Sequence, residues 1–125
     1  MPGSVKEMLS SANNAVPKIA PEEARRLMNE GALLVDVRDA PELAQSGKLQ
    51  NAVNVSRGML EFRADAATPY HNPEFRTDRP VILYCASGGR SALAGKALQE
   101  LGYAKVYNLG GFKEAAEAGF PTEPA

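Results

Sequence analysis

The only cysteine of this 125-residue chain, Cys85, follows the apolar run Val81-Ile82-Leu83-Tyr84 and opens the loop Ala86-Ser87-Gly88-Gly89-Arg90-Ser91. After the loop, Leu93, Ala94, Ala97, Leu98 and Leu101 recur at helical spacing. A free cysteine is most often a small buried hydrophobe, but three features here favour a thiolate. The residue stands between a strand end and a helix N-terminus, where unpaired N–H groups and the helix dipole attract an anion. Gly88 and Gly89 let the backbone curl without a Cβ, so that successive amides can point inward. Arg90 adds a permanent positive charge. The thiolate is the nucleophilic form of cysteine, so the stretch describes an activated nucleophile.

Few other residues compete for a chemical role. Asp36 and Arg38 end an apolar run, and the heavier expectation for them is an internal salt link. Arg57 follows a short strand and should emerge on the same edge as Cys85, either to recruit an anion or as a solvated arginine. His71 is the only histidine and lies in a loop flanked by prolines; a surface position is expected, because a preformed thiolate requires no general base. One histidine and one cysteine make no metal cluster, and no internal disulfide can form. Met59, Leu60, Phe62 and Tyr70 suit a pocket wall or core packing equally.

The elements that must position the thiol are those of a single α/β domain. The apolar fraction of 44% and charged fraction of 23% are those of a globular protein. A net charge of −1 supplies no electrostatic footprint for nucleic acid or a membrane surface. No apolar run nears the roughly 18 residues of a membrane span, and the first residues lack a secretory pattern. The expected setting is the reducing cytoplasm, where a thiol stays available. Helical spacing predicts a helix over 4–14, within an N-terminal extension (1–16) to a core at 17–121. Pro21 at the first helical position, with Glu22 and Glu23 behind it, opens a second helix that stops near Gly31. Asp39 and Glu42 form a capping pair for a short helix to about Gly47. Strands are expected at 18–20, 32–37, 52–55, 81–84 and 104–108, with a turn at Gly110-Gly111, a last helix from Phe112 to about Gly119, and a loose tail at 122–125. Alternating strands and helices predict a mainly parallel five-stranded sheet between two helical layers, whose ligands gather at the C-terminal ends of its strands.

The segment Cys85-Ala86-Ser87-Gly88-Gly89-Arg90-Ser91 resembles the active-site loop of single-domain rhodanese-like sulfurtransferases. Leu34-Val35-Asp36-Val37-Arg38 is similar to that family's first core strand, and Gly110-Gly111 with Ala118-Gly119-Phe120-Pro121 resembles its C-terminal signature. The likeness runs from about Pro17 to Pro121. Two departures bear on packing rather than on the loop: Gly47-Lys48-Leu49-Gln50-Asn51-Ala52 replaces the family's Gly-His-Ile-Pro-Gly-Ala, and Ala115 lies where a tryptophan is common.

The resemblance implies a three-layer rhodanese-like α/β/α fold and a ping-pong sulfur transfer. Cys85 would take the outer sulfur of a donor such as thiosulfate as a persulfide and pass it to cyanide or a thiol. The acceptor would be a small molecule or another protein. No cofactor is implied beyond the persulfide itself. The backbone of Ala86, Ser87, Gly88, Gly89 and Arg90 would cradle the sulfur and the departing anion. Arg90 would either attract the donor or brace the loop through a carboxylate. Ser87 and Ser91 would add hydroxyl donors or cap the helix. Phosphatases and arsenate reductases of the same fold place five residues between cysteine and arginine, whereas this chain has four, a loop sized for sulfur. The alternatives are a non-catalytic binding module and a thiol redox sensor, the latter without a second cysteine to resolve it.

Overall fold

The computed structural model describes residues 3–125; Met1 and Pro2, at the start of the expected N-terminal extension, lie outside the described residues. Strand β1 (Leu33–Asp36) lies at the centre of a parallel sheet, flanked by β3 (Val53–Asn54) on one side and β4 (Val81–Cys85) on the other, with β5 (Val106–Gly111) beyond β4. Both β1 and β4 are buried along their whole length. That agrees with their continuous apolar sequence, since a strand covered on both faces has no polar side.

The expected count of five strands is corrected to four. Residues 18–20 contribute a single parallel bridge from Lys18 to Asn108 at the β5 edge, because Pro17 and Pro21 limit the extended stretch between them. Gly110-Gly111 is not a turn. It completes β5 after a one-residue irregularity, with Gly110 opposite Tyr84 and Gly111 opposite Cys85. The tail is not loose either: β6 (Thr122–Glu123) pairs antiparallel with β2 (Lys48–Leu49), and Glu123 forms an ion pair with Lys48. The departure at 47–52 therefore builds this small second sheet. Ala115 is buried beside Phe120 in the core.

Strand alternation sorts the core into two layers. Val81, Leu83 and Cys85 face the same side as Leu33 and Val35, where α4 (Leu60–Ala64) and α5 (Gly89–Glu100) cover them and α1 (Val5–Ala15) lies on α5. Leu34, Ile82 and Tyr84 face the other side, with Ala24 of α2 (Pro21–Asn29), Leu49 and Ala115 of α6 (Phe112–Glu117). The period of two thus places the thiol under the N-terminus of α5. Helix α1 is capped by the Ser4 hydroxyl and packs on α5, where Gly95 leaves room for Val16: a Cβ on Gly95 would come within 2.8 Å of a Val16 methyl. The expected capping pair opens α3 (Ala40–Ser46), where the Glu42 side chain accepts from the Asp39 backbone N–H at 3.0 Å and the Glu42 N–H donates to the Asp39 carbonyl. No helix of the described residues is long and apolar enough to cross a membrane.

Candidate active site

Cys85 is the last residue of β4 and is only 1% exposed. Its sulfur accepts a hydrogen bond from the Gly88 amide at 3.0 Å, and the Ser91 hydroxyl lies 3.5 Å away. Burial pushes the thiol pKa up. The Ser91 hydroxyl and the Ser91, Ser87 and Gly88 amides more than offset that penalty, and the net shift is downward. The cysteine is therefore both buried and polarised toward the thiolate.

The loop takes this form because of its glycines. Gly88 precedes α5 in the left-handed region at φ 102°, a conformation that glycine adopts without strain. It lies against the end of β5, where a Cβ would stand 3.4 Å from the Gly110 Cα. Gly111 solves the next contact. A Cβ there would fall 2.6 Å from the Ala86 carbonyl oxygen, so the glycine pair lets the end of β5 lie against the cysteine loop. Ser87 is exposed at the rim. The N-cap of α5 is Gly88, without a side-chain cap, so neither Ser87 nor Ser91 caps the helix. Ser91 instead points inward, fully buried.

Arg90 donates two hydrogen bonds to Glu42, at 2.8 and 2.9 Å. Glu42 is held at a pKa of about 2 by that guanidinium and by the Asp39 amide. Of the two expectations for Arg90, the brace through a carboxylate describes this geometry, and its positive charge still lies close enough to act on Cys85. Glu42 was legible only as a capping residue of α3; its partner is 48 positions away. Asp36 and Arg38 form the expected internal link. Arg38 forks Asp36 and also donates to the Ser46 hydroxyl and the Gly47 carbonyl, fastening the C-terminal end of α3. Its guanidinium packs over the Phe112 ring at 4.5 Å. The chain of contacts therefore runs from β1 through Arg38 to α3, and from Glu42 to Arg90 and the loop.

Arg57 emerges at the expected sheet edge, its amide bonded to the Val37 carbonyl. Its guanidinium pairs with Glu61 and lines a depression with Met8 and Leu93, separate from the cleft along the loop. Among the described residues no hydrogen bond or ion pair ties it to the loop. That cleft, of about 350 Å³, is bounded by Ser87, Gly88, Gly110, Leu9, Asn13 and Lys18, among others. His71 spends one ring nitrogen on the Phe75 carbonyl. Phe62 and Tyr70 pair edge to face on the surface, while Leu60 is core. Among the described residues no cluster of His, Cys, Asp or Glu could hold a metal ion.

Asn108 is the residue that sequence reasoning missed. It is buried within β5, opposite Leu83, and bonded to Gly88, Ser91 and Gly110. The available signal was a polar residue among apolar strand residues, two positions before a glycine pair.

The rhodanese-like domain profile matches residues 20–118. The thiosulfate sulfurtransferase GlpE of Pseudomonas savastanoi pv. phaseolicola is 33% identical over 85% of this chain and 92% of its own. A Rhodopseudomonas palustris protein of unknown function, described as a possible tyrosine phosphatase, superposes with a TM-score of 0.86 at 37% identity, over 98% of this chain and 99% of its own. The polysulfide-sulfur transferase homodimer of Wolinella succinogenes gives a TM-score of 0.76 at 32% identity, over 96% of this chain and 87% of its own. With the cysteine loop, the parallel sheet and a profile match over most of its length, the chain belongs to the rhodanese-like domain family.

Proposed function

We propose that this protein is a sulfurtransferase that carries sulfane sulfur as a Cys85 persulfide. The observation that carries the proposal is the buried Cys85 sulfur, polarised toward thiolate by the Gly88 amide at 3.0 Å and by Ser91. The thiolate attacks the outer sulfur of thiosulfate. The sulfur–sulfur bond of the donor breaks and sulfite leaves with the bonding pair, so the enzyme keeps one added sulfur and one negative charge. Cyanide, or a thiolate acceptor, then attacks the terminal sulfur and regenerates the Cys85 thiolate. Amides at the α5 N-terminus offset negative charge throughout, and the cysteine itself is the carrier, with no further cofactor. The names of the relatives support sulfur transfer. The assignment of thiosulfate as donor, of a small thiol or a protein as acceptor, and of the cytoplasm as the setting belongs to this proposal.

The description of the Rhodopseudomonas relative raises phosphate-ester hydrolysis as a second reading. Against it stand the four-residue spacing from Cys85 to Arg90 and the hydrogen bonds of both Arg90 terminal nitrogens to Glu42, which engage the fork on a carboxylate. One experiment separates the two. After incubation with thiosulfate, intact mass should rise by one sulfur atom, about 32 Da; cyanide should reverse the gain, and Cys85→Ser should abolish it. Absence of the adduct with both thiosulfate and polysulfide, together with Cys85-dependent hydrolysis of p-nitrophenyl phosphate, would establish the phosphatase instead.

A further inference from the structure

Two groups lie within hydrogen-bond range of the Cys85 sulfur, the Gly88 amide and the Ser91 hydroxyl, and one buried side chain is bonded to both residues. Asn108 Nδ2 donates to the Gly88 carbonyl at 3.1 Å, while the Gly88 amide donates to Sγ at 3.0 Å. Asn108 Oδ1 accepts from the Ser91 hydroxyl at 2.7 Å, and that hydroxyl lies 3.5 Å from Sγ. The orientation of the carboxamide is forced. Gly110 presents only an N–H to Oδ1, at 2.9 Å, and Gly88 presents only a carbonyl to Nδ2. Facing an oxygen that only accepts, Ser91 must be the donor of that pair. Its single proton is then spent on Asn108, and its lone pairs are open to the thiol S–H. When the sulfur ionises, the hydroxyl proton, held by Oδ1, is shared with Sγ as well, and the Gly110 amide continues to donate to Oδ1. No buried polar atom is orphaned in either state, which keeps the change in charge cheap.

We infer that Asn108 is a positioning residue for sulfur transfer, holding the Gly88 amide and the Ser91 hydroxyl on the Cys85 sulfur. The inference rests on the sulfurtransferase reading for its kinetic consequence but not for its direct readout, the reactivity of the thiol. The backbone of Asn108 is bonded to Pro17 and Ile19, and a side-chain substitution leaves those links in place. The charged groups around the site include Arg90, with Glu42 and Asp39 beyond it, Glu114 beside Gly111, and Lys18 in the cleft beside Asn108; the substitutions replace none of them.

The test is the rate of Cys85 alkylation by iodoacetamide against pH, on the full chain, with folding checked by circular dichroism. Asn108→Leu should slow alkylation roughly tenfold at neutral pH, with recovery at alkaline pH, the scale expected from loss of one hydrogen bond to an ionised sulfur. Asn108→Asp keeps the shape but adds charge, and should slow it at least as much. Ser91→Ala should shift the profile the same way, and the Ser91→Ala/Asn108→Leu double variant should shift it by less than the sum of the two. A folded Asn108 variant with an unmoved alkylation profile, or strictly additive effects in the double variant, would overturn the inference. If both Asn108 variants fail to fold, an unmoved profile in Ser91→Ala would overturn it. Failure of the wild-type protein to form the persulfide, with the alkylation profile still shifted in the Asn108 variants, would instead count against the sulfurtransferase reading alone.

Discussion

Arg90 spends its guanidinium on a carboxylate, so geometry matters more there than charge. A lysine in its place keeps the positive charge but cannot make a two-point fork. In a thiosulfate–cyanide assay, Arg90→Lys should therefore lose turnover nearly as far as Arg90→Ala, by several-fold, and Glu42→Gln should lose a part of it. Near-wild-type turnover in Arg90→Lys would show that charge alone is what the site uses. The ordinary pH of an assay will not disturb the pair, since Glu42 titrates at about 2.

At the scale of elements, the loop depends on the close approach of two strand ends. A methyl at Gly111 would press on the Ala86 carbonyl, 2.6 Å away, and on the Glu114 carboxylate. The side chain can swing aside, but the carbonyl belongs to the loop and cannot move alone. Gly111→Ala should cost about 1–3 kcal/mol of stability by thermal melting and should slow Cys85 alkylation, because the loop that addresses the sulfur is displaced. Gly110→Ala is the control. Nothing lies within 4 Å of its added methyl, but φ is 100°, so its cost is backbone strain with less effect on the thiol. Equal losses of reactivity in the two variants would argue that strain, not the contact with Ala86, disturbs the loop.

Across the whole molecule, acid should loosen the scaffold that presents the loop. The carboxyl of Glu42 lies below its ordinary 4.5, held by Arg90 first and the Asp39 amide second, and Glu123 is lowered by Lys48. A carboxylate with a depressed folded pKa contributes stability that is fully present above its unfolded value and lost as pH falls through the folded one. For Glu42 that window runs from about 4.5 down to about 2. Both partners of the Arg90–Glu42 pair are more than a third exposed, at 37% and 35%, so solvent screening limits its worth to about 1 kcal/mol. The urea midpoint should hold from pH 7 to 5.5 and drop below 4.5, and Glu42→Gln should show a smaller drop from a lower start. An equal drop in the variant would place the acid sensitivity elsewhere.

Much of this arrangement is local and therefore readable along the chain. Continuous apolar runs mark β1 and β4 because both faces of their sheet are covered. Asp39 and Glu42 mark the start of α3 because their capping contact spans only a single helical turn, and Gly88 marks the tight turn after Cys85 because glycine adopts its left-handed backbone without strain. Partners far apart in sequence are another matter. The fork of Glu42 on Arg90, the meeting of Gly111 with Ala86, and the carboxamide of Asn108 between Gly88 and Ser91 arise where separate strand ends converge. So does the pairing of Thr122–Glu123 with Lys48–Leu49, in a tail whose composition suggested none. From its residues alone the chain specified a cysteine able to ionise at the edge of a parallel sheet. Only the tertiary structure decided which groups hold the sulfur, because hydrogen bonds between distant segments depend on strand order and register, which local spacing does not encode.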